Sequence, residues 1–267
     1  MIQPNSILNG DCLEVMREIP DKSVSLVLCD LPYGVLNRNN PNSKWDSIIP
    51  FEPLWEQYRR ITKPNAAIVL FAQGMFTAKL MMSNPDWWRY NLVWKKGNRV
   101  SGFLNANRQP MRNHEDICVF SSGQTIYNPQ FSLCAKYHSR GKAGNASEKS
   151  ALNRNYGSFN QTPTILTNKK YPLSVLDFDK EHGKQWHQTQ KPISLLSYLI
   201  RTYSNQFDTV LDNTCGSGST CVASVLTGRK YIGIERDANY YKIACERTRQ
   251  AEMECNTDLY KLLESFY

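Results

Sequence analysis

Apolar residues along this chain gather in short runs separated by segments of helical period. Residues 23–29 (S-V-S-L-V-L-C) predict a short buried strand that ends at Asp30. Residues 53–62 have helical character and lead into a second apolar run at 66–71, and 75–83 predict a helix. Residues 87–94 and 117–120 predict further strands. Texture changes from about 121 to 187, where Asn, Ser, Gly, Lys and Tyr dominate. Such a stretch is a functional insertion or is partly disordered. Regular patterning returns at Pro192. A helix is expected at 193–203, a strand at 209–211, a Gly-rich turn, a helix at 219–227 and a strand at 231–234. Helices at 238–250 and 258–266 complete the pattern. Strands alternating with helices imply an α/β fold with a mostly parallel sheet covered on both faces.

Composition narrows the class. No apolar run approaches the roughly 18 residues that span a bilayer. Residues 1–10 lack the basic-then-apolar form of a signal peptide, so the expectation is a cytoplasmic protein without membrane segments. None of the eight cysteines forms a Cys-x-x-Cys pair, and the four histidines lack metal-ligand spacing to them; reduced thiols and no metal are expected. Net charge is +8, and its placement is uneven. Residues 89–170 carry thirteen Lys or Arg against three acids, which leaves the rest slightly acidic. A concentrated basic middle suits a polyanionic partner. Composition alone does not separate that from a merely solvated basic face.

Three motifs carry chemistry. V-L-D-N-T-C-G-S-G-S-T (210–220) joins a strand to a helix through a Gly-rich turn. Gly216 and Gly218 permit positive φ and close approach of a ligand, and the helix behind them offers unpaired N–H groups. The spacing is neither Gly-x-Gly-x-x-Gly nor a P-loop. One strand later, Y-I-G-I-E-R-D places Glu235 about 20 residues past the turn, where an acid binds ribose hydroxyls. The plain alternative is a solvent-facing Glu at a helix start. Together the two motifs favour an adenosyl-type ligand. The third, D-L-P-Y-G (30–34), lies at another strand's carboxyl end. Pro32 biases Leu31 toward an extended backbone, so the Leu31 carbonyl and the Asp30 carboxylate become adjacent acceptors. An exocyclic NH2 has two hydrogens to donate, and Tyr33 adds a ring for stacking. An isolated D-x-P-Y is an ordinary turn.

Joint presence and order decide. The chain resembles the β-class DNA amino-methyltransferases, the N6-adenine/N4-cytosine family, over most of its length. The resemblance implies a Rossmann-like methyltransferase fold with a seven-stranded sheet and circularly permuted motifs. Its catalytic half would span 1–120 with a loop at 35–50, a target-recognition insertion 121–187, and the cofactor half 188–267. It implies S-adenosylmethionine as cofactor and duplex DNA as partner. G-D-C-L-E-V-M (10–16) matches the segment in which Asp11 contacts the cofactor adenine. H-Q-T-Q-K-P (187–192) implies Thr189, Gln190 and Lys191 near the methionine carboxylate. Asp212, Gly216, Ser217, Gly218, Ser219, Thr220 and Glu235 complete the expected cofactor set. Segments 91–97 and 114–120 also have family counterparts.

Two departures stand out. The family's second catalytic-motif residue is usually Pro, here Leu31. Its glycine motif is usually Asp-Pro-Phe-x-Gly-Ser-Gly-Thr-Thr, whereas here Asn213 and Thr214 replace Pro-Phe and Ser219 replaces Thr. The backbone carbonyl of Leu31 survives, so the chemistry is expected to survive. Asp30, Leu31, Pro32 and Tyr33 are then the catalytic residues for methylation of adenine N6 in a base swung out of the duplex. Adenine rests on Asp30, since N4-cytosine members more often carry Ser there. Expected DNA contacts are Arg38 and Trp45 in the loop after the catalytic strand, and Arg140, Lys142, Lys149, Arg154 and Lys169 in the insertion, mostly to phosphates. Tyr33→Ala is expected to weaken the flipped state and Tyr33→Phe to be mild; Phe as damaging as Ala would assign the role to the hydroxyl. Rival readings are an N4-cytosine enzyme, an RNA or protein amino-methyltransferase, and an inactive DNA-binding module. Family members are often dimers. Neither the target sequence nor a partner endonuclease is legible.

Overall fold

The computed structural model describes residues 2–35, 46–97, 99–138, 167–179 and 190–264. They form two compact units, one from residues 1–128 with 174–267 and the other from 129–173.

The larger unit is built on one mixed sheet. Its strands are β1 (Ser6–Asn9), β2 (Val24–Asp30), β3 (Thr62–Ala72), β4 (Trp88–Lys95), β5 (His114–Phe120), β8 (Val175–Asp177), β9 (Thr209–Asp212) and β10 (Lys230–Glu235). They lie in the order β1-β10-β9-β2-β3-β5-β4-β8. β5 runs antiparallel to both neighbours, and every other pairing in this sheet is parallel. The helices are α1 (Cys12–Val15), α2 (Phe51–Ile61), α3 (Met75–Ser83), α4 (Ile193–Tyr203), α5 (Ser219–Leu226) and α6 (Ala238–Glu264).

The central strands are buried on both faces, which explains their continuous apolar runs. Side chains alternate across β3. Ile68, Leu70 and Ala72 join a core with Leu54, Trp55, Tyr58 and Ile61 of α2 and Phe76 and Leu80 of α3. Ala67, Val69 and Phe71 join a second core with Leu195, Leu196, Leu199 and Ile200 of α4. The eight cysteines are free thiols, five of them buried. No helix among the described residues is long and apolar enough to cross a membrane.

The chain leaves β2 toward β3 on one side, while β9 leads to β10 on the other. The strand order therefore reverses between β2 and β9, and a crevice at the carboxyl ends is expected there. Asp30, Asp212 and Glu235 end β2, β9 and β10, and Asp11 follows β1.

Several expectations change. Eight strands, not seven, make the sheet among the described residues. β8 adds to the β4 edge, with Leu176 buried and the Trp94 indole N–H donating to the Phe178 carbonyl at 2.8 Å. The two helices expected at 238–250 and 258–266 are one helix to Glu264, because residues 251–257 (A-E-M-E-C-N-T) contain no Gly or Pro to break it. The smaller compact unit, 129–173, lies within the insertion expected at 121–187. In it, β6 (Ser132–His138) and β7 (Thr167–Lys170) pair antiparallel. Phe131 and Tyr171 meet edge-on at 4.9 Å.

Candidate active site

Asp30 is the last residue of β2, still in register with Phe71 of β3 but past the register with β9. Both carboxylate oxygens are engaged: Tyr33 donates its hydroxyl to Oδ1 at 2.7 Å, and the Lys191 ammonium pairs with Oδ2. The Tyr33 ring stacks on Phe76 of α3, centroids 4.9 Å apart. Burial and the neighbouring Asp30 charge hold its phenol well above the ordinary value, so it remains a donor. Leu31 is buried among the apolar residues of the α2–α3 face. A side chain that fills core thus replaces the expected proline, while the carbonyl is a backbone feature that either residue supplies.

Lys191 precedes α4 and is buried. It also pairs with Glu115 Oε2 at 3.2 Å, without hydrogen-bond alignment, and its ammonium lies 4.9 Å from the centre of the Phe71 ring. Glu115 Oε1 pairs in turn with Lys96. Asp30, Lys191, Glu115 and Lys96 therefore form a chain of alternating charge. Topology assembles it: β5 is antiparallel, so its first residues lie at the sheet end where β2 and β4 finish. Burial disfavours the charge on Lys191, yet Asp30 and Glu115 outweigh it and raise its pKa. Burial also works against charge on Glu115, and Lys191 with Lys96 hold it below the usual carboxylate range. Glu115 and Lys96 were not singled out from the sequence. The H-E-D start of a strand was a usable signal only once that strand was known to run antiparallel.

Gly216 has φ +53°, and a Cβ added there would meet open space. Its N–H donates to Glu235 Oε2 at 2.8 Å, and Asp237 N–H donates to Oε1 at 2.7 Å. A carboxylate has about four lone-pair sites, so Glu235 keeps acceptors for further donors. Burial raises its pKa. Gly218 also serves packing. Its φ is +81°, and a Cβ there would lie 2.9 Å from Ala244 Cα and Cβ of α6. Ser217 and Ser219 are held from the same helix: Arg247 donates to the Ser217 carbonyl at 2.6 Å, to its hydroxyl at 2.9 Å and to Ser219 Oγ at 3.2 Å.

Asp212 is buried, and desolvation pushes its carboxyl up to about 7 against hydrogen bonds from Thr220 and the Thr214 N–H. Two residues that depart from the family's glycine motif, Asn213 and Thr214, tie the halves of the crevice together. Thr214 donates its hydroxyl to the Asp30 carbonyl at 3.2 Å. Asn213 Oδ1 accepts from Tyr58 at 2.7 Å and from the Cys29 thiol at 2.9 Å. Asp11 caps α1, accepting from Leu13 N–H at 2.9 Å. It follows β1, whose pairing sets Asn9 beside Glu235.

Asp46 clamps the turn after the motif. Its two oxygens accept from Gly34 N–H at 2.9 Å and Val35 N–H at 2.8 Å. Arg38, Trp45, Arg140, Lys142, Lys149, Arg154 and Thr189 lie outside the described residues. Gln190 is described, next to Lys191. Lys169 is an exposed residue of β7, its ammonium 5.7 Å from the Phe131 ring centre. The structure thus brings Asp11, Asp30, Tyr33, Lys191, Asp212, Gly216 and Glu235 to one sheet end.

Residues 24–246 match a family described as DNA methylase. The chain is 29% identical over 282 residues to the type II methyltransferase M.HinfI of Haemophilus influenzae, covering 94% of this chain and 70% of that protein. It is 27% identical to the type II methyltransferase M2.MboI of Moraxella bovis, covering 91% and 86%. Its fold matches the PvuII DNA methyltransferase, described as cytosine-N4-specific, with a TM-score of 0.64 at 15% identity, covering 92% and 87%. It also matches an M1.HpyAVI–SAM complex with a TM-score of 0.59 at 20% identity, covering 91% and 98%.

Proposed function

The chain belongs to the N6/N4 DNA methylase family, and on that premise we propose that it transfers a methyl group from S-adenosylmethionine to the N6 amino group of adenine in duplex DNA. The observation that carries the reading is Asp30, at the strand-order reversal and held by Tyr33 and Lys191.

The residues present fit the cofactor. Open space above Gly216, at positive φ, is a cradle that any side chain there would fill. Glu235 beside it retains acceptors for ribose hydroxyls, and Asp11 would serve the adenine. Asp212, through its hydrogen bonds to Thr214 and Thr220, fixes the turn around Gly216. Gly218, Ser217 and Ser219 support the cradle from behind. S-adenosylmethionine supplies an electrophilic methyl on a sulfonium that leaves as a neutral thioether.

What the protein's own residues do follows from the geometry. The amino group of adenine is a poor nucleophile because its lone pair is delocalised into the ring. Asp30 and the Leu31 carbonyl accept its two N–H bonds and favour a pyramidal nitrogen. Lys191 fixes Asp30 through one oxygen, and Tyr33 through the other. Such alignment contributes on the order of 7–11 kcal/mol in well-oriented reactions. The amine of a paired base is inaccessible, so the nucleotide must leave the stack at a cost of roughly a few kcal/mol. Tyr33, backed by Phe76, offers a ring that offsets about 1–3 kcal/mol of it.

Residues 129–173 are proposed to read the target sequence, with Lys169 and the basic residues from Arg140 to Arg154 on DNA. Exchanging this unit with that of a relative should exchange the methylated sequence; an unchanged sequence removes it from that role. Mass spectrometry of nucleosides from duplex DNA treated with enzyme and cofactor tests the base. N6-methyladenine is expected, and N4-methylcytosine alone overturns the choice of adenine.

A further inference from the structure

The connection from β4 to β5 combines features that the chemistry at Asp30 does not use. Between Lys96 and His114 the sequence carries Arg99, Arg108 and Arg112 and no acidic residue. Two adjacent large apolar residues stand at its tip, Phe103 at 70% and Leu104 at 86% exposed. The tip is nonetheless built. Ser101 and Arg112 exchange backbone hydrogen bonds at 2.8 and 3.0 Å. Gly102, at φ +83°, starts a short 3-10 turn at Phe103–Asn105, and Arg108 and Gln109 N–H both donate to the Asn105 carbonyl. An ordered turn that holds two apolar side chains in water has gained nothing by burying them within this unit.

Position supplies the second argument. The connection leaves the sheet at Lys96 and returns just before Glu115, two members of the charge chain that ends on Asp30. It therefore rises from the sheet end that carries the catalytic carboxylate. Arginines flanking an apolar tip match a partner with a charged exterior and a stacked apolar interior. Double-helical DNA has both, and minor-groove proteins insert Phe or Leu between base steps while cations hold the backbone.

We propose that the 96–113 connection is a DNA wedge: Phe103 and Leu104 enter the stack where the target base has left it, and Arg99, Arg108 and Arg112 hold the flanking phosphates. This rests on the DNA-methylation reading, and it adds a contact surface separate from residues 129–173.

Two measurements on the full-length protein test it. The first is fluorescence anisotropy with a mixed-sequence 30-base-pair duplex across salt concentrations. Each phosphate contact contributes about 0.9 to the slope of log K against log salt. The triple variant Arg99→Gln/Arg108→Gln/Arg112→Gln should therefore lower that slope by about 2.7. The second is labelled-methyl incorporation into unmethylated duplex phage DNA at saturating DNA. Phe103→Ser/Leu104→Ser should lower the rate at least ~10-fold, with cofactor affinity and melting temperature unchanged as checks of folding. Phe103→Leu/Leu104→Phe keeps the wedge apolar and should restore it. An unchanged slope, an unchanged duplex rate, or an apolar swap as damaging as serine overturns the proposal. If the unaltered protein labels no DNA at all, the methyltransferase reading has failed instead, and the salt slope still decides whether the arginines meet DNA.

Discussion

Replacing Lys191 with methionine removes one charge and little volume. In the structure that charge is shared by two carboxylates, Asp30 and Glu115, with side-chain exposures of 8% for Lys191, 25% for Asp30 and 12% for Glu115. Breaking a fully buried pair costs about 3–5 kcal/mol. The cost here is smaller, because Asp30 is reached by water and Glu115 keeps Lys96; about 2–3 kcal/mol is a fair figure after that discount. If this appears as lost alignment of Asp30, the methyl-transfer rate falls by roughly 30- to 150-fold. The assay is single-turnover methylation of duplex DNA at saturating cofactor, with cofactor affinity measured separately by calorimetry. The slow step should be transfer, with cofactor affinity within about twofold of the parent protein. The family resemblance gives Lys191 another role, near the cofactor carboxylate. An affinity loss of tenfold or more, with the saturated rate intact, would therefore refute the positioning role. Lys191→Arg keeps the charge and should recover part of the rate.

Other predictions follow from individual contacts. Tyr33→Phe, expected from the sequence to be mild, keeps the ring on Phe76 but removes the donor to Asp30, so the structure changes that expectation. Hydrogen bonds to charged groups contribute about 1.5–3 kcal/mol, so turnover should fall on the order of tenfold or more, and further in Tyr33→Ala. Asp212 has a folded value of about 7, above the ordinary carboxylate. A raised value makes its stability contribution full below pH 4 and lost as pH rises through 7, on the order of a few kcal/mol. Without cofactor, Asp212→Asn should gain stability over the parent at pH 8 and little at pH 4, as read by urea denaturation. Gly218→Ala forces a Cβ to 2.9 Å from Ala244. It should cost about 2–4 kcal/mol of stability in denaturation. Gly216→Ala meets no protein atom. It should cost only about 1–2 kcal/mol of stability but weaken cofactor binding measured by calorimetry.

Sheet and helices were legible wherever burial imposed a period. The runs at 23–29 and 66–71 are apolar because β2 and β3 are covered on both faces, and the helices at 75–83 and 193–203 carry one buried side each. β1 and β8 were missed because they are the two edge strands, short and only partly buried, so neither makes a continuous apolar run; β9 is equally short but buried throughout. Asp30, Gly216 and Glu235 were visible because each stands at the end of an apolar run, where a chain leaves the sheet. Lys96 and Glu115 were not, since their partnership with Lys191 depends on the antiparallel direction of β5, which composition does not encode. At Gly218 the fold adds a constraint that the motif does not display. Its positive φ was expected, but the surface pressing on it is α6, twenty-six residues further along the chain. Asn213 and Thr214 read as departures from the family pattern. In the fold they are hydrogen-bonding bridges from the Gly-rich turn to β2, a role that Pro and Phe side chains could not fill.

Asp30 is proposed to activate the amino group of a base in DNA. The most direct measurement is labelled-methyl transfer from S-adenosylmethionine to unmethylated duplex DNA by the parent protein and Asp30→Ala, with the modified nucleoside identified by mass spectrometry. N6-methyladenine is expected from the parent and none from Asp30→Ala, which still binds cofactor. Full activity in Asp30→Ala would contradict it.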